Sequence, residues 1–343
     1  SNNTAVGRSA LRAITSASNN TAVGQAALTS NTTGAQNTAV GRFSMEDNTT
    51  GIENAALGYQ SLYSSTTGAQ NTAIGNYALF AATTANNNTS IGYNSMGALT
   101  TGSQNVAVGR NALAATTSSS NKTAVGYAAG SSGSGADSNS VYVGYEAGLN
   151  STESNHFIGY QAGRSTTNGF SNTVFGHQAF YYNTGGDRNT MLGFGAGHST
   201  TTNDNTAVGY QAMYANTSGI SNTALGSLSL DANTTGTSNT AVGRVALTSN
   251  TTGAGNVGLG VSPLEANTTG GNNVALGNNA LSKQTTPDIN IGIGTSAGSE
   301  ITTGFANICV GYLSGRHGVN LQTGNYNTMV GHYTDTTATN TNY

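Results

Sequence analysis

The chain has 343 residues, a net charge of −3 and only 7% charged side chains, with 48 Gly, 2 Pro and no Trp. It has no Lys/Arg run, which excludes binding to nucleic acid or an anionic membrane through a basic patch. A single cysteine, Cys309, excludes an intrachain disulfide framework and a Cys-rich zinc site, and no apolar stretch approaches the roughly 20 residues of a membrane span.

The chain opens on "SNNTAVGRSAL", without the basic and apolar regions of a secretory leader. The phrase "NTAVG" then recurs to the far end. Indexed on its closing glycine, the first eight repeats (Gly7, Gly24, Gly41, Gly58, Gly75, Gly92, Gly109 and Gly126) are spaced by 17 residues. The next steps, to Gly144, Gly159, Gly176, Gly193 and Gly209, are 18, 15, 17, 17 and 16 residues. The 17-residue step then returns as far as Gly311, and a step of 20 closes the series at Gly331. A period this short cannot hold a two-helix repeat, which needs roughly 33 residues or more. It fits one coil of a parallel β-solenoid: the β-branched "NTAVG" runs form strands, and "TTG" and "NNT" form turns. The predicted fold is therefore all-β, a parallel β-solenoid or β-roll of about 20 coils. Residues 1–135 form a regular repeat shaft, 136–204 an irregular aromatic-rich stretch, and 205–343 a regular shaft with divergent C-terminal repeats.

Four residues before the glycine stands Asn, except at Lys122 and Ser140. Stacked coils would join these residues into an amide ladder. Sequons such as Asn31-Thr32-Thr33 then follow from the repeat and do not mark glycan sites. The residue before the glycine is always apolar, and the one before that is small in 15 of 20 repeats. Neighbouring strand residues point to opposite faces. Val40 and its equivalents are expected to fill the chain's own core. The alanines Ala22, Ala39, Ala56, Ala73, Ala107, Ala124, Ala207, Ala224 and Ala241 would then line an interface between chains. A strand apolar on both faces is buried on both, which predicts a homo-oligomer, a trimer. The small slot is broken at Tyr142, Phe157, Val174, Met191 and Met329. In three of those repeats Gly148, Gly163 or Gly197 replaces the usual Leu or Met four residues after the glycine, which suggests volume compensation. Val174 with Phe180, and Gly292 with Gly298, do not follow the rule.

The phrase N-T-A-V-G-x-x-A-L, best seen at Asn37–Gly41 and at Asn205–Met213, resembles the head repeat of YadA-type trimeric autotransporter adhesins, and "NTAVGYQAL…NTTG" looks still more like the repeat arrays of bacteriophage tail fibres. The adhesin resemblance implies a left-handed, homotrimeric β-roll; the tail-fibre resemblance implies a shaft in which a self-cleaving chaperone domain often follows. Neither an anchoring barrel with its coiled-coil stalk nor a chaperone is found within the 343 residues. A chaperone can be cut away whereas an anchor stays, so the expectation leans to the viral fibre.

Candidate chemistry is sparse. Cys309 lies near His317 and His332 but occupies the small slot, so an inert packed thiol is expected rather than a nucleophile. Glu46, Asp47 and Glu53 cluster at a turn as solvated residues. No calcium repeat, P-loop or metal-binding His cluster occurs, so no catalytic residue, metal or cofactor is expected. The informative stripe directly follows the glycine: Tyr59, Tyr93, Tyr127, Tyr145, Tyr160, Tyr210 and Tyr312, with Arg42, Arg110 and Arg244. Polar-tipped aromatics suit a half-exposed surface, either stacked along the array or in contact with surface glycans. A second candidate is the irregular stretch with Phe157, Phe170, Phe175, Phe180 and Phe194 and with His156, His177 and His198.

The functional expectation is a non-enzymatic fibre shaft of a phage tail fibre or comparable extracellular appendage. It would be a spacer that pairs with other fibre or virion proteins and can attach to host surface polysaccharide. A bacterial trimeric surface adhesin is the alternative. An ice-binding solenoid is weaker, because the Thr column of Thr4, Thr21 and Thr38 is interrupted by Ala55, Val106 and His156.

Overall fold

The computed structural model describes residues 2–133, 138–316 and 321–334. Among them there are twenty strands of three residues each and no helix. The chain divides into two compact units, Ser1–Ser171 and Asn172–Tyr343, with ten strands in each. Within each unit every strand pairs in parallel with the next, as Thr21↔Thr38, Ala22↔Ala39 and Val23↔Val40 show. Each unit is thus a parallel β-solenoid with a period of about 17 residues. Register survives the length changes: His156 pairs with Val141 across the short step, and Ile308 with Thr328 across the long one. Insertions and deletions are absorbed outside the strands.

The glycine that closes each strand is required twice over. Gly24 has φ +136°, a region closed to side chains, and a Cβ there would lie 2.7 Å from the carbonyl carbon of Gly41 in the next coil. Beyond it the backbone does something the sequence does not announce. Residues two and four after the glycine take left-handed conformations, as at Ala26 (φ +59°) and Leu28 (φ +50°). Ala26 N–H donates to Arg8 O (2.9 Å) in the preceding coil and Leu28 N–H to Ser44 O (3.1 Å) in the following one. The corner is thereby zipped on both sides, which compensates a conformation that costs roughly 1–2 kcal/mol for an L-residue.

Side-chain amides complete the ladders. Asn37 Oδ1 accepts from both the backbone N–H (3.0 Å) and Nδ2 (3.1 Å) of Asn54, whose Nδ2 also donates to Gly68 O at 2.8 Å. The expected Asn ladder is present. A second one runs through the turn that "NNT" and "TTG" encode: Asn48 Nδ2 donates to Asn31 Oδ1, and Asn233, Asn250 and Asn267 continue the pattern in the other unit, all at 2.9 Å. Asn31, the sequon residue, is a fully buried rung, which leaves its amide no room for a glycan.

The two faces of the strand are the reverse of the sequence expectation. Ala22, Ala39, Ala73, Ala107, Ala124, Ala207, Ala224 and Ala241 are fully buried inside their own coils, and Ala56 nearly so. They are therefore not a surface that another chain can reach. The pre-glycine column points outward instead: Leu57 is 50% exposed, Leu225 47% and Leu259 48%. The alanines are small because the coil is narrow. A Cβ on Gly292, which holds the same slot, would lie 2.8 Å from Cγ of Leu281, the large residue four after the preceding glycine. A large residue at one of the two facing positions crowds the other, although Phe180 and Met191 are both large and buried.

This also makes the volume compensation physical. A Cβ on Gly130 would meet Tyr142 Cδ2 at 2.6 Å, and one on Gly163 would meet Phe157 Cε2 at 2.5 Å; Gly148 faces both rings, and Gly197 faces Met191. The Gly292–Gly298 exception is resolved by Leu281, Ile301 and Cys309, which converge on the space beside Gly298. Val174 and Phe180 are both buried, and nothing in the structure explains why that pair departs from the rule.

Candidate functional site

Each strand ends at a glycine whose successor lies at the start of the left-handed corner, so the residue after the glycine recurs at one edge of every coil. The predicted tyrosines do gather there. Tyr127 stacks on Tyr145 and Tyr145 on Tyr160, each with centroids 5.2 Å apart and planes within 12°. In the second unit Phe194 stacks on His177 (5.0 Å) and Tyr210 (5.5 Å), and Tyr312 stacks on His332 (5.1 Å). Tyr59 and Tyr93 behave differently: both meet Tyr77 edge to face, at 5.4 and 5.8 Å. Arg42 lies 4.4 Å over Phe43, and Arg110 sits between Tyr93 (5.6 Å) and Tyr127 (5.9 Å). Such contacts hold each guanidinium on the surface by cation–π attraction. Arg244 is exposed, with no such ring contact.

A second aromatic column escaped the sequence reading. Five residues after the glycine, Tyr63 stacks on Phe80 (5.3 Å), and His198 stacks between Tyr181 (5.5 Å) and Tyr214 (4.5 Å). The shared offset from the motif glycine was the available signal. Burial between these rings holds His198 below its ordinary pKa. Of the aromatic-rich stretch, Phe157 and Phe180 belong to the core, whereas Phe170, Phe175 and Phe194 are exposed at 43%, 55% and 45%.

The acidic residues of the predicted turn differ in their settings. Glu46 and Asp47 are half-buried, and desolvation raises both pKa values, helped at Glu46 by the neighbouring Asp47 charge; Tyr63 hydrogen-bonds Glu46 in opposition. Glu53 is exposed and accepts from Gln70 at 3.0 Å. Burial opposes the charge of Glu146, but Arg164 (2.7 Å) and Gln161 (2.9 Å) outweigh it and hold this carboxyl below its usual range. Among the described residues no group of three or more His, Cys, Asp or Glu is arranged to hold a metal ion, and no helix is long and apolar enough to cross a membrane.

Cys309 is fully buried beside Gly298 and Gly315, with its thiol pushed up to about 12 by desolvation, whereas His332 is exposed on Tyr312. His317 lies outside the described residues. A thiol this protonated is a poor nucleophile. In the folded chain at pH 8, Cys309 is expected to react with Ellman's reagent at least a hundredfold more slowly than in urea; equal rates would refute the inert packing.

No protein-family model matches the chain, and no curated protein matches it in sequence.

Proposed function

We propose that the chain is a non-enzymatic structural shaft of a phage tail fibre or comparable extracellular appendage, assembled as a homotrimer. One observation carries this reading: the outward column before the glycine. Leu57, Ile74, Ile91 and Val125 in one unit, and Phe175, Leu192, Leu225 and Leu259 in the other, are exposed large apolar residues in successive or near-successive strands. Within each unit they form an uncharged strip of a kind that marks an interaction surface. Partner copies of the same repeating strip would cover it along its length. The resemblance of N-T-A-V-G-x-x-A-L to trimeric adhesin heads and tail-fibre arrays supports the same assembly. The interface residues are then the Val, Ile and Leu column rather than the alanines.

The test is native mass by light scattering. A trimer is expected, about three times the chain mass of 34.4 kDa, and Leu57→Lys combined with Ile74→Lys should dissociate it without loss of β structure. A stable monomer for the unsubstituted chain would overturn the assembly.

One observation favours a second reading. Thr173, Thr190, Thr206, Thr223 and Thr240 stand in strand register on the same outward face, an ordered hydroxyl array of the sort an ice-binding surface needs. Inhibition of ice recrystallisation at micromolar concentration would favour it over the shaft.

A further inference from the structure

Two differences set one part of the first unit apart from the rest of that unit's aromatic edge. The first is ring geometry. From Tyr127 to Tyr160 the rings lie parallel, so their faces are spent on one another. From Phe43 to Tyr93 they meet edge to face, with interplanar angles of 66° (Phe43–Tyr59), 86° (Tyr59–Tyr77) and 81° (Tyr77–Tyr93). In such a pair the ring that offers its edge keeps both faces clear of that partner. Tyr77 also meets Phe80 edge to face at 5.8 Å, which links the two aromatic columns into one shelf.

The second difference is a recess. The stack of Tyr63 and Phe80 does not continue: the next three positions of that column are Gly97, Ala114 and Ser131. The missing side chains leave a shallow, open hollow of about 720 Å³, lined by these residues and by Asn94, Asn111 and Ser132 among others. That volume falls in the range of about 300–1,000 Å³ typical of small-ligand sites. Its lining carries no charge. Asn94 Nδ2 donates to Asn111 Oδ1 at 3.2 Å, so the pair keeps the Asn94 carbonyl oxygen and three amide hydrogens for another partner. The serine hydroxyls of the lining can donate or accept.

We propose that this recess, with Tyr93 and Phe80 beside it, is a subsite for a neutral saccharide. Paired amides and hydroxyls match the vicinal hydroxyls of a pyranose, and the rings of Phe80 and Tyr93 supply apolar surface for its C–H face. The uncharged lining suits a neutral sugar, and the cation nearest Tyr93, the Arg110 guanidinium, is engaged between the Tyr93 and Tyr127 rings. The openness of the hollow suits one or two residues of a polymer that continues past it. The inference rests on reading the aromatic edge as a glycan-contacting surface, and the shaft and its trimeric assembly do not depend on it.

The test is saturation-transfer NMR and calorimetry on the full chain, with maltohexaose, mannohexaose and chitohexaose as neutral probes and 3′-sialyllactose as the anionic one. At least one neutral hexamer should bind. Ala114→Tyr, which extends the aromatic column into the hollow, should weaken that binding tenfold or more, as should Tyr93→Ala. Tyr312→Ala, in the other unit, should leave it unchanged. Asn111→Ala serves as a second probe of the recess if Ala114→Tyr does not fold. Binding that all the recess variants leave intact would overturn the subsite while leaving a glycan contact elsewhere on the chain. Binding of sialyllactose alone, or of no neutral hexamer, would overturn the proposal, and native mass would still decide the shaft.

Discussion

Phe157→Ala is expected to lower the unfolding free energy by about 4 kcal/mol, the usual cost of an emptied aromatic site in a close-packed core. Gly163→Leu alone should cost about 3 kcal/mol, because its Cβ would lie 2.5–2.7 Å from three ring carbons of Phe157. The two together should be less harmful than either alone. The double variant rebuilds the ordinary coil, with Ala in the strand slot and Leu at the corner, as in Ala22 and Leu28. The backbone is already set for it: Gly163 has φ +58° and Leu28 φ +50°, so the leucine meets no conformational cost that its counterparts do not already bear. Urea denaturation at a fixed protein concentration, run as a double-mutant cycle, measures the coupling. Additive losses would show that the two positions do not share one volume, and the account of the narrow coil would fail.

That cycle also marks how far the sequence can be read. The period, the parallel coils, the Asn ladder and the exchange of large for small residues all follow from recurrence, because in a solenoid a repeat in sequence is a neighbour in space. Alternation separates Ala39 from Val40 without saying which of them faces inward. Hydrophobicity alone put the larger residue inside. The decision was made by a third residue, the corner leucine, whose inward direction depends on left-handed φ values at non-glycine positions. No local signal marks those, since Leu and Met are not residues that favour φ > 0. The stacked tyrosines were readable as a column, but their two geometries were not. Whether rings stack or meet edge to face depends on which neighbours occupy the adjoining offsets, as Phe43 and Tyr77 do beside Tyr59.

The Asn ladder is the other place where a single substitution should be costly. Asn54 is nearly fully buried. Its Oδ1 accepts from Asn71 N–H (3.0 Å) and Nδ2 (3.1 Å), and its own Nδ2 donates to Gly68 O. Asn54→Ala strips partners from a buried N–H and a buried carbonyl at once. At about 1–3 kcal/mol for each orphaned group, a loss of about 4 kcal/mol is expected. Asn54→Asp would bury a charge if ionised, so it should fold with its carboxyl protonated, keeping an acceptor oxygen and one O–H donor where the amide had two N–H groups. A carboxyl whose folded pKa is raised contributes most below its unfolded pKa of about 3.9, and that contribution is lost as pH rises toward the folded value. Asn54→Asp should therefore lose stability relative to the parent chain from about pH 4 upward, whereas Asn54→Ala should show no such trend. The second ladder offers the converse. Ser65 stands where Asn31 and Asn48 would be continued, and both Asn48 Oδ1 and Ser65 Oγ are buried with no hydrogen-bond partner. The neighbour on the far side, Ala82, is small and buried, which gives a longer side chain space. Ser65→Asn would donate to Asn48 Oδ1 and to Gly68 O, as Asn48 does to Asn31 Oδ1 and Gly51 O. It replaces two unpartnered oxygens with one, for a gain of about 1 kcal/mol. A ladder in which Asn54→Ala is tolerated and Ser65→Asn brings nothing would mean that the backbone alone holds the coils together and that the asparagines merely fit between them.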